Sequence, residues 1–387
     1  MSETIACDIA IVGGGLVGAS LALALANTSY RVVLVEGQQP PLTGLNVPED
    51  WDARVYAISP ANRRFLESID AWPAEDRIQA VKTMDVRGDT QGEIVFSASD
   101  ADQPALTYIA ENRWLLAAIW EKLRNSRVQM ICPARPVETS ATATARQILL
   151  EDGRAITARL VIGADGANSW LRRIVGIEAA VSPYGQSGVV ANFVTQKDHQ
   201  SIAHQWFTGD SVLAYLPLPD HRMSMVWSRH DPEYLLGLSA EALCAEVEQA
   251  GYSTLGKLQL LTPPAAFPLR LIQPETVIAE RLALVGDAAH TVHPLAGQGV
   301  NLGFGDAIEW AGLLASGHRD PGEYLLLRRY ERSRREAVRV MQTTCDGLHK
   351  LFHAQDPLLR WMRNTGLDMT NRFTPAKRLL ARHAIGF

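Results

Sequence analysis

The first part of the chain consists of apolar segments separated by glycine and polar residues. Residues 8–12 form an apolar run of strand length, and four glycines follow within residues 13–18. Apolar residues at helical spacing then fill residues 17–25, and residues 31–36 form a second apolar run rich in β-branched side chains. The pattern predicts a strand–helix–strand unit of the βαβ type over residues 8–36.

Two later apolar runs also predict buried strands, and each ends in a turn that contains an aspartate. Residues 159–162 lead into Gly163-Ala164-Asp165-Gly166, and residues 282–285 lead into Gly286-Asp287. The carboxyl ends of parallel strands are where α/β sheets bind their ligands. We therefore expect both aspartates to lie at a ligand-binding edge.

The middle of the chain, between residues 187 and 268, predicts a separate antiparallel sheet. Its strands are expected at residues 189–194, 212–217 and 223–228, and residues 218–222 form a hairpin-like connection between the last two. Its aromatic residues are more typical of a core than of substrate contacts; they include Trp206, Phe207, Tyr215 and Trp227.

The chain becomes helical in pattern after residue 305. Residues 323–339 carry six arginines against three glutamates, which predicts a solvated helix face. From residue 351 to the end, six Lys and Arg side chains are interleaved with large apolar ones, as in an interfacial amphipathic segment. Helices packed on the domain or on a partner subunit are the alternative.

Composition excludes several classes of protein. With 387 residues, 47% of them hydrophobic and 20% charged, the chain is an ordinary globular one of two or three structural units. The net charge of −5 gives no basic footprint for nucleic acid. The four cysteines stand more than 100 residues apart, which is neither a disulfide framework nor a metal-ligand spacing. A reducing, cytoplasmic compartment is expected.

The apolar stretch from residue 5 to residue 26 imitates a signal peptide. The residues before it include Glu3 and no Lys or Arg, so the basic region of a signal peptide is missing. Its glycines, and the cost of placing Asp8 in a bilayer, also argue against a membrane span. A buried strand, a turn and a helix are expected instead.

The first motif has the form G-x-G-x-x-G and points to a dinucleotide. Gly13 permits the tight turn, Gly15 lets the backbone approach a pyrophosphate, and Gly18 lets helix and strand pack closely. Glu36 ends the second strand, where a carboxylate accepts hydrogen bonds from ribose hydroxyls, which favours FAD or NAD over NADP. The alternative is a tight glycine turn with an exposed glutamate.

The two aspartate turns favour FAD over NAD. A second and a third strand-end turn, so distant in sequence, suit a long ligand whose ribityl chain offers several hydroxyl groups. For Asp287, helix capping is the alternative role. His290 and His293 have a spacing that a metal could use, but no third ligand accompanies them, and packing or hydrogen bonding is expected.

The three motifs together resemble the class A flavoprotein aromatic hydroxylases related to para-hydroxybenzoate hydroxylase, and more narrowly the ubiquinone-biosynthesis hydroxylases. The resemblance covers nearly the whole chain. The segments that carry it are residues 52–59, 111–113, 285–291, 294–303, 348–352, 363–367 and 377–382.

The resemblance implies an α/β fold. A three-layer, Rossmann-like FAD-binding domain is interrupted by a substrate domain built on an antiparallel sheet, and a helical tail follows. The expected FAD-binding domain comprises residues 1–72, 102–180 and 268–340. The expected substrate domain comprises residues 73–101 and 181–267, and the tail comprises residues 341–387.

The resemblance also implies roles for single residues. Arg54 and Arg113 reach toward the phosphates and the flavin side, Asp165 supports the turn beside the face that the nicotinamide approaches, and Asp287 binds the ribityl and pyrophosphate region. Glycines at a helix start bring backbone N–H groups close to reduced, anionic flavin. The residues expected along the flavin edge are Pro294, Gly297, Gln298, Gly299, Val300 and Asn301. No metal and no certain catalytic acid or base is expected.

The implied reaction is hydroxylation of the aromatic ring of a polyprenyl phenol, an intermediate of ubiquinone biosynthesis, through a flavin C4a-hydroperoxide. NADH or NADPH is the transient reductant, and O2 is the co-substrate. The partners expected are this lipid-like phenol, the inner face of the cytoplasmic membrane as a peripheral contact, and subunits of a biosynthetic complex or a second copy of the chain. The alternatives are hydroxylation of a soluble phenol and a non-catalytic flavoprotein subunit.

Overall fold

A computed structural model of the chain describes residues 4–40, 51–89, 92–292, 299–315, 317 and 319–353. The strands, in chain order, are β1 (Thr4–Val12), β2 (Val32–Val35), β3 (Val55–Ile58), β4 (Ile78–Val81), β5 (Thr83–Arg87), β6 (Glu93–Ser97), β7 (Thr107–Glu111), β8 (Gln129–Ile131), β9 (Pro136–Ala141), β10 (Arg146–Leu150), β11 (Ala155–Gly163), β12 (Ala179–Thr195), β13 (Ile202–Thr208), β14 (Ser211–Leu218), β15 (Arg222–Arg229), β16 (Leu258–Leu260), β17 (Ala265–Pro274), β18 (Ile278–Ala279) and β19 (Leu282–Leu284). The helices are α1 (Leu16–Leu25), α2 (Pro60–Ser68), α3 (Asn112–Arg124), α4 (Trp170–Ile174), α5 (Pro232–Leu236), α6 (Ala240–Ala250), α7 (Gly299–Ala315) and α8 (Tyr324–His353).

A parallel sheet with the order β8-β2-β1-β11-β19 forms the base of the molecule. Val12 lies opposite both Val35 and Gly163, and Gly163 lies opposite Leu284, so the strands end level with one another. The four apolar runs predicted to be buried strands are confirmed as β1, β2, β11 and β19. Consequently, the turns that follow these strands share one edge of the sheet.

Alternating side chains of β1 bury both faces of this sheet. Ile9 and Ile11 pack into a core with residues of α1, α3 and α7, whereas Ala10 and Val12 pack into a second core with residues of β10 and α4. The hairpin of β9 and β10 pairs with β11 through β10, in antiparallel orientation, and side chains of β10 contribute to the second core. The predicted three-layer arrangement is confirmed, because a sheet that is apolar on both faces must be covered on both.

A second sheet, with the order β16-β12-β15-β14-β13-β5-β6, is formed mainly by the middle of the chain. It is antiparallel except where β13 runs parallel to β5. The predicted strands and the hairpin of β14 and β15 are confirmed. Trp206, Tyr215 and Trp227 are buried in its core against α6, and Phe207 is buried in a smaller cluster.

Two long strands connect the two sheets. β12 and β17 pair with each other along most of their length, and the expected domain boundaries at residues 180 and 267 fall within them. A three-stranded sheet, β3-β7-β4, combines strands from both expected domains. Helix α8 runs through the expected start of the tail at residue 341. The expected domain boundaries therefore do not coincide with breaks in the fold, and the division into domains stays a prediction.

The arginine-rich helix α8 departs from its prediction at two charged positions. Glu331 is buried and accepts a hydrogen bond from the Thr276 hydroxyl over 2.6 Å. Arg334 points inward and forms an ion pair with the buried Asp306 of α7, so the expectation that it belongs to a solvated face is wrong. A local charge pattern does not show which long side chain has a buried partner. The other five arginines are exposed as expected: Arg328, Arg329, Arg332, Arg335 and Arg339.

The apolar stretch near the start of the chain is the expected strand, turn and helix, namely β1 and α1. Within the described ranges, no helix is long and apolar enough to cross a membrane.

Candidate active site

The first two strand-end turns touch each other. Gly13 has φ +108°, a left-handed conformation that favours glycine, and a Cβ there would lie 2.3 Å from the carbonyl oxygen of Ala164. The Ala164 N–H donates to the carbonyl of Val12 over 2.7 Å. The glycine is therefore required for two turns, 150 residues apart in sequence, to meet at the sheet edge.

Helix α1 presents its N-terminus at this edge. Gly15 occupies the N-cap position, caps no N–H with a side chain, and is exposed. A Cβ on Gly15 would meet nothing within 4 Å, whereas a Cβ on Gly18 would lie 1.9 Å from the Gly13 carbonyl oxygen. Gly18 thus serves helix packing, and Gly15 leaves open space in front of free N–H groups. That combination suits a pyrophosphate.

Glu36 closes the end of β2 beside the first turn. Its Oε2 accepts a hydrogen bond from the Gly14 N–H over 2.5 Å, and its Oε1 accepts one from the Gln38 N–H over 2.8 Å. The Gly14 carbonyl in turn accepts from Trp120 Nε1 over 2.9 Å. A Cβ on Gly14 would lie 2.6 Å from Trp120 Cζ2. The motif treats position 14 as variable, so sequence reasoning missed both Trp120 and the need for this glycine.

The second turn is braced by its own aspartate. Asp165 Oδ1 accepts from the Ser169 hydroxyl over 2.6 Å, and Oδ2 accepts from the Leu171 N–H over 3.0 Å, at the start of α4. Its carboxylate therefore supports the turn. Arg172, which the sequence suggested only as a helix-start feature, is buried and joins the turns by donating to Ala167 O and Ala288 O over 2.8 and 2.7 Å.

Asp287 lies in the third turn, shortly after the end of β19. Its side chain is exposed to solvent, yet protein surrounds it closely enough that burial raises the pKa of its carboxyl group. His290, Arg54 and Arg270 oppose that rise in pKa. Asp287 is therefore a solvent-accessible carboxylate near Arg54 and Arg270, which belong to other elements, and we call the accessible space beside it the cleft. The site is suited to hydrogen-bond a polar ligand.

Arg54 lies beside this cleft, in contact with two aromatic rings. The centre of its guanidinium is 5.2 Å from the Tyr56 ring centroid and 5.5 Å from that of Phe267, a geometry of attractive cation–π contacts. Burial raises the pKa of Tyr56 to about 12, and Asp287 adds to the rise while Arg54 opposes it. Phe267 is 42% exposed on β17. It was missed because its role comes from a contact 213 residues away, which no local motif shows.

Asp52 positions both predicted arginines. Its Oδ1 accepts from the Arg54 N–H over 3.0 Å, and its Oδ2 accepts from the Arg113 N–H over 3.1 Å. The Asp52 N–H donates to Glu111 Oε2 over 2.6 Å, and its carbonyl accepts from Asn192 Nδ2 over 2.9 Å. Asn192 belongs to β12. Its hydrogen bond to Asp52 therefore joins the segment that carries Arg54 to the second sheet.

The start of α7 holds the remaining predicted residues that are described. The side chain of Asn301 is held by the distant segment 57–62. Its Oδ1 accepts from the Ser59 N–H over 3.0 Å and from Asn62 Nδ2 over 2.8 Å, and its Nδ2 donates to Ala57 O over 2.8 Å. Val300 is buried, and a Cβ on Gly299 would meet nothing within 4 Å. Pro294, Gly297 and Gln298 lie outside the described residues.

His290 has the hydrogen-bonding role that was expected. Its Nε2 lies 2.8 Å from Asp306 Oδ2, deep behind the third turn. His293 lies outside the described residues. In the ranges that the structure describes, no group of three or more His, Cys, Asp or Glu is placed to hold a metal ion.

The residues fit an FAD molecule. An open N-terminal cradle at Gly15, a carboxylate at the end of β2 and a second carboxylate in the cleft lie along one edge of the sheet, and such groups bind the phosphates and hydroxyls of a flavin dinucleotide. The guanidinium of Arg54 supplies positive charge beside this line.

Comparison with solved structures shows the same fold. The chain aligns with p-nitrophenol 4-monooxygenase PnpA from Pseudomonas putida at a TM-score of 0.79 and 18% identity, covering 99% of this chain and 98% of that one. HpxO from Klebsiella pneumoniae, solved with FAD, aligns at a TM-score of 0.74 and 17% identity, covering 97% and 99%. A sequence-family model described as an FAD binding domain matches residues 134–344, more than half of the chain. A second one, described as lycopene cyclase protein, matches residues 8–186.

The match to the FAD-binding family model, together with the curated relatives, defines an FAD-dependent aromatic-ring monooxygenase. Among curated relatives, the chain is 36% identical to 3-demethoxyubiquinol 3-hydroxylase of Escherichia coli, over 98% of each chain. It is 35% identical to ubiquinone hydroxylase UbiL of Rhodospirillum rubrum, over 98% of this chain and 89% of the relative. The chain belongs to the family of ubiquinone-biosynthesis flavin hydroxylases.

Alanine substitutions at Gly15 and Gly18 are expected to affect different properties, FAD affinity in the first case and stability in the second. Gly15→Ala places a methyl group in open space, so the apoprotein should unfold at an unchanged temperature while its affinity for FAD falls roughly tenfold or more, by about 1.4 kcal/mol. Gly18→Ala forces a Cβ against the Gly13 carbonyl, and overpacking of this kind costs about 1–3 kcal/mol of stability. Thermal unfolding of the apoproteins and FAD titration measure both effects. Equal loss of stability in the two variants would contradict the assignment of Gly15.

Proposed function

We propose that this chain hydroxylates the aromatic ring of a polyprenylated phenol in ubiquinone biosynthesis. The observation that carries the proposal is the joint placement of three strand-end turns along one sheet edge in a chain that resembles named ubiquinone hydroxylases over nearly its full length. One ring C–H becomes C–OH, one oxygen atom of O2 enters the ring and the other leaves as water. NADH or NADPH supplies the two electrons.

FAD, when bound, supplies the transfer of electrons from the nicotinamide nucleotide to O2 and the activation of O2. The chain's own residues bind and orient it. The free N–H groups at Gly15 hold the pyrophosphate, and Gly13 and Gly18 permit the turn and the helix packing that place them. Glu36 accepts from the adenosine ribose, and Asp287 accepts from the ribityl hydroxyls. An ionised carboxylate accepts hydrogen bonds and donates none, which matches a ligand rich in hydroxyl donors.

Arg54 would hold the flavin side of the cofactor. It would place positive charge beside a reduced, negatively charged flavin, and its contacts with Tyr56 and Phe267 limit where that charge can go. The exposed ring of Phe267 offers an apolar wall to an aromatic substrate.

Purified holoenzyme should consume O2 in the presence of NADH or NADPH and a prenylated phenol. The product should gain one oxygen atom in its mass, because one atom of O2 is inserted. A soluble phenol with the same ring but no prenyl chain is the matched control and should react at a much lower kcat/KM. Protein that binds FAD but gives no hydroxylated product with either phenol would contradict the proposal, and preference for the soluble phenol would assign a different substrate class.

A lipid-like substrate requires access to a bilayer, and we place that contact in the last part of the chain, residues 354–387. This segment lies outside the described residues. Its sequence carries six basic side chains, Arg360, Arg363, Arg372, Lys377, Arg378 and Arg382, among large apolar ones. The solvent face of α8, which leads into it, carries five exposed arginines. Positive charge on a chain of net charge −5 favours a peripheral contact with anionic lipid at the cytoplasmic membrane.

Neutralising three of these charges should weaken vesicle binding. Lys377→Gln, Arg378→Gln and Arg382→Gln in one full-length variant remove about 1 kcal/mol each from attraction to an anionic surface. Flotation with anionic vesicles should show a loss of roughly tenfold or more in bound protein. The control removes three exposed charges elsewhere, with Arg127→Gln, Arg173→Gln and Lys257→Gln. Equal binding by the two variants would refute this contact.

A further inference from the structure

A buried carboxylate lies directly behind the third turn. Asp306 of α7 is completely inaccessible to solvent. Its Oδ2 accepts from the Gly286 N–H over 2.8 Å and lies 2.8 Å from His290 Nε2, while its Oδ1 accepts from Arg334 Nε over 2.7 Å. One side chain therefore joins both ends of the Gly286–His290 segment to helix α8.

Helix α7 is shaped to admit the guanidinium of Arg334. A Cβ on Gly305 would lie 2.6 Å from Arg334 Nη2, so a larger residue there would push the guanidinium away. The same Nη2 donates to the carbonyl of Leu302 over 3.0 Å. Arg334 thus makes two separate hydrogen bonds from different nitrogens of its guanidinium, a geometry that the rigid fork of this group suits.

A second glycine of α7 lets the third turn approach. A Cβ on Gly303 would lie 2.5 Å from Val17 Cγ2 and 3.3 Å from the Cα of Gly286. Gly286 itself has φ +59°, in the left-handed region. The turn before Asp287 is consequently pressed onto α7 and has its N–H fixed by Asp306.

The cluster is charged and internally paired. Burial opposes ionisation of Asp306, but His290 and Arg334 outweigh it and hold the pKa of this carboxyl below its ordinary value. A buried carboxylate of this kind is strongly destabilised when a partner is removed. The cluster therefore constrains the turn firmly, although neither Asp306 nor Arg334 belongs to the cleft residues identified above.

We propose that Arg334 is a positioning residue for the cofactor: through Asp306 it holds the Gly286 turn in the conformation that directs Asp287 into the cleft. Helix α8 then sets the affinity of the protein for FAD from a distance. The inference rests on the proposed role of Asp287 in binding FAD, and it adds a residue that acts without touching the ligand.

The test is FAD titration of apoprotein carrying Arg334→Gln or Arg334→Lys. A hydrogen bond to a charged group is worth one to two powers of ten in affinity, so Arg334→Gln should weaken FAD binding roughly 10- to 100-fold. Arg334→Lys should lose less, because it keeps the charge but not the fork. The matched control, Arg335→Gln, changes an exposed neighbour on the same helix turn and should bind FAD within about twofold of the parent.

A double-mutant cycle separates positioning from a general loss of stability. If Arg334 acts through Asp287, Arg334→Gln should cost much less in FAD affinity when Asp287→Asn is already present. Additive losses would overturn the proposal, as would unchanged affinity in folded Arg334 variants. If Arg334→Gln does not fold, Arg334→Lys and His290→Gln decide by the same cycle. A parent apoprotein that takes up no FAD would instead refute the proposed function itself.

Discussion

The structure depends on the close approach of three strand-end turns at one edge of a parallel sheet. β1, β11 and β19 are adjacent and end level, so the turns after them have no room to separate. Contact is possible because side chains are absent at the crossing points: a Cβ on Gly13 would lie 2.3 Å from the Ala164 carbonyl oxygen. The conformational entropy lost by each glycine on folding is the cost of that approach.

Polar side chains hold the turns together once they have met. Arg172 bridges the second turn to the third through the carbonyl of Ala288, and the Val285 N–H donates to the Gly163 carbonyl over 2.9 Å. The second sheet is joined to the same edge by Asn192 at Asp52 and by the stacking of Arg54 on Phe267. The cleft is thus bounded by elements of both sheets, which is the arrangement that an enclosed flavin and an aromatic substrate require.

Sequence reasoning reached the parts that local pattern encodes. The period of apolar residues located β1, α1, β2, β11 and β19, and the glycine and aspartate spacing located the three turns. Contacts between distant segments could not be found in this way. Trp120 explains Gly14 only because α3 packs beside the first turn. In the sequence, Arg334 cannot be told from the five exposed arginines near it, because its buried partner Asp306 is close only in the folded chain.

The central question is whether these turns surround one ligand. A crystal structure of the purified protein with FAD tests this most directly. One FAD per chain is expected, with the adenosine ribose at Glu36, the pyrophosphate at the N-terminus of α1 and the ribityl chain at Asp287. FAD lying in a cavity away from these residues, or a nucleotide that touches only the first turn, would contradict it.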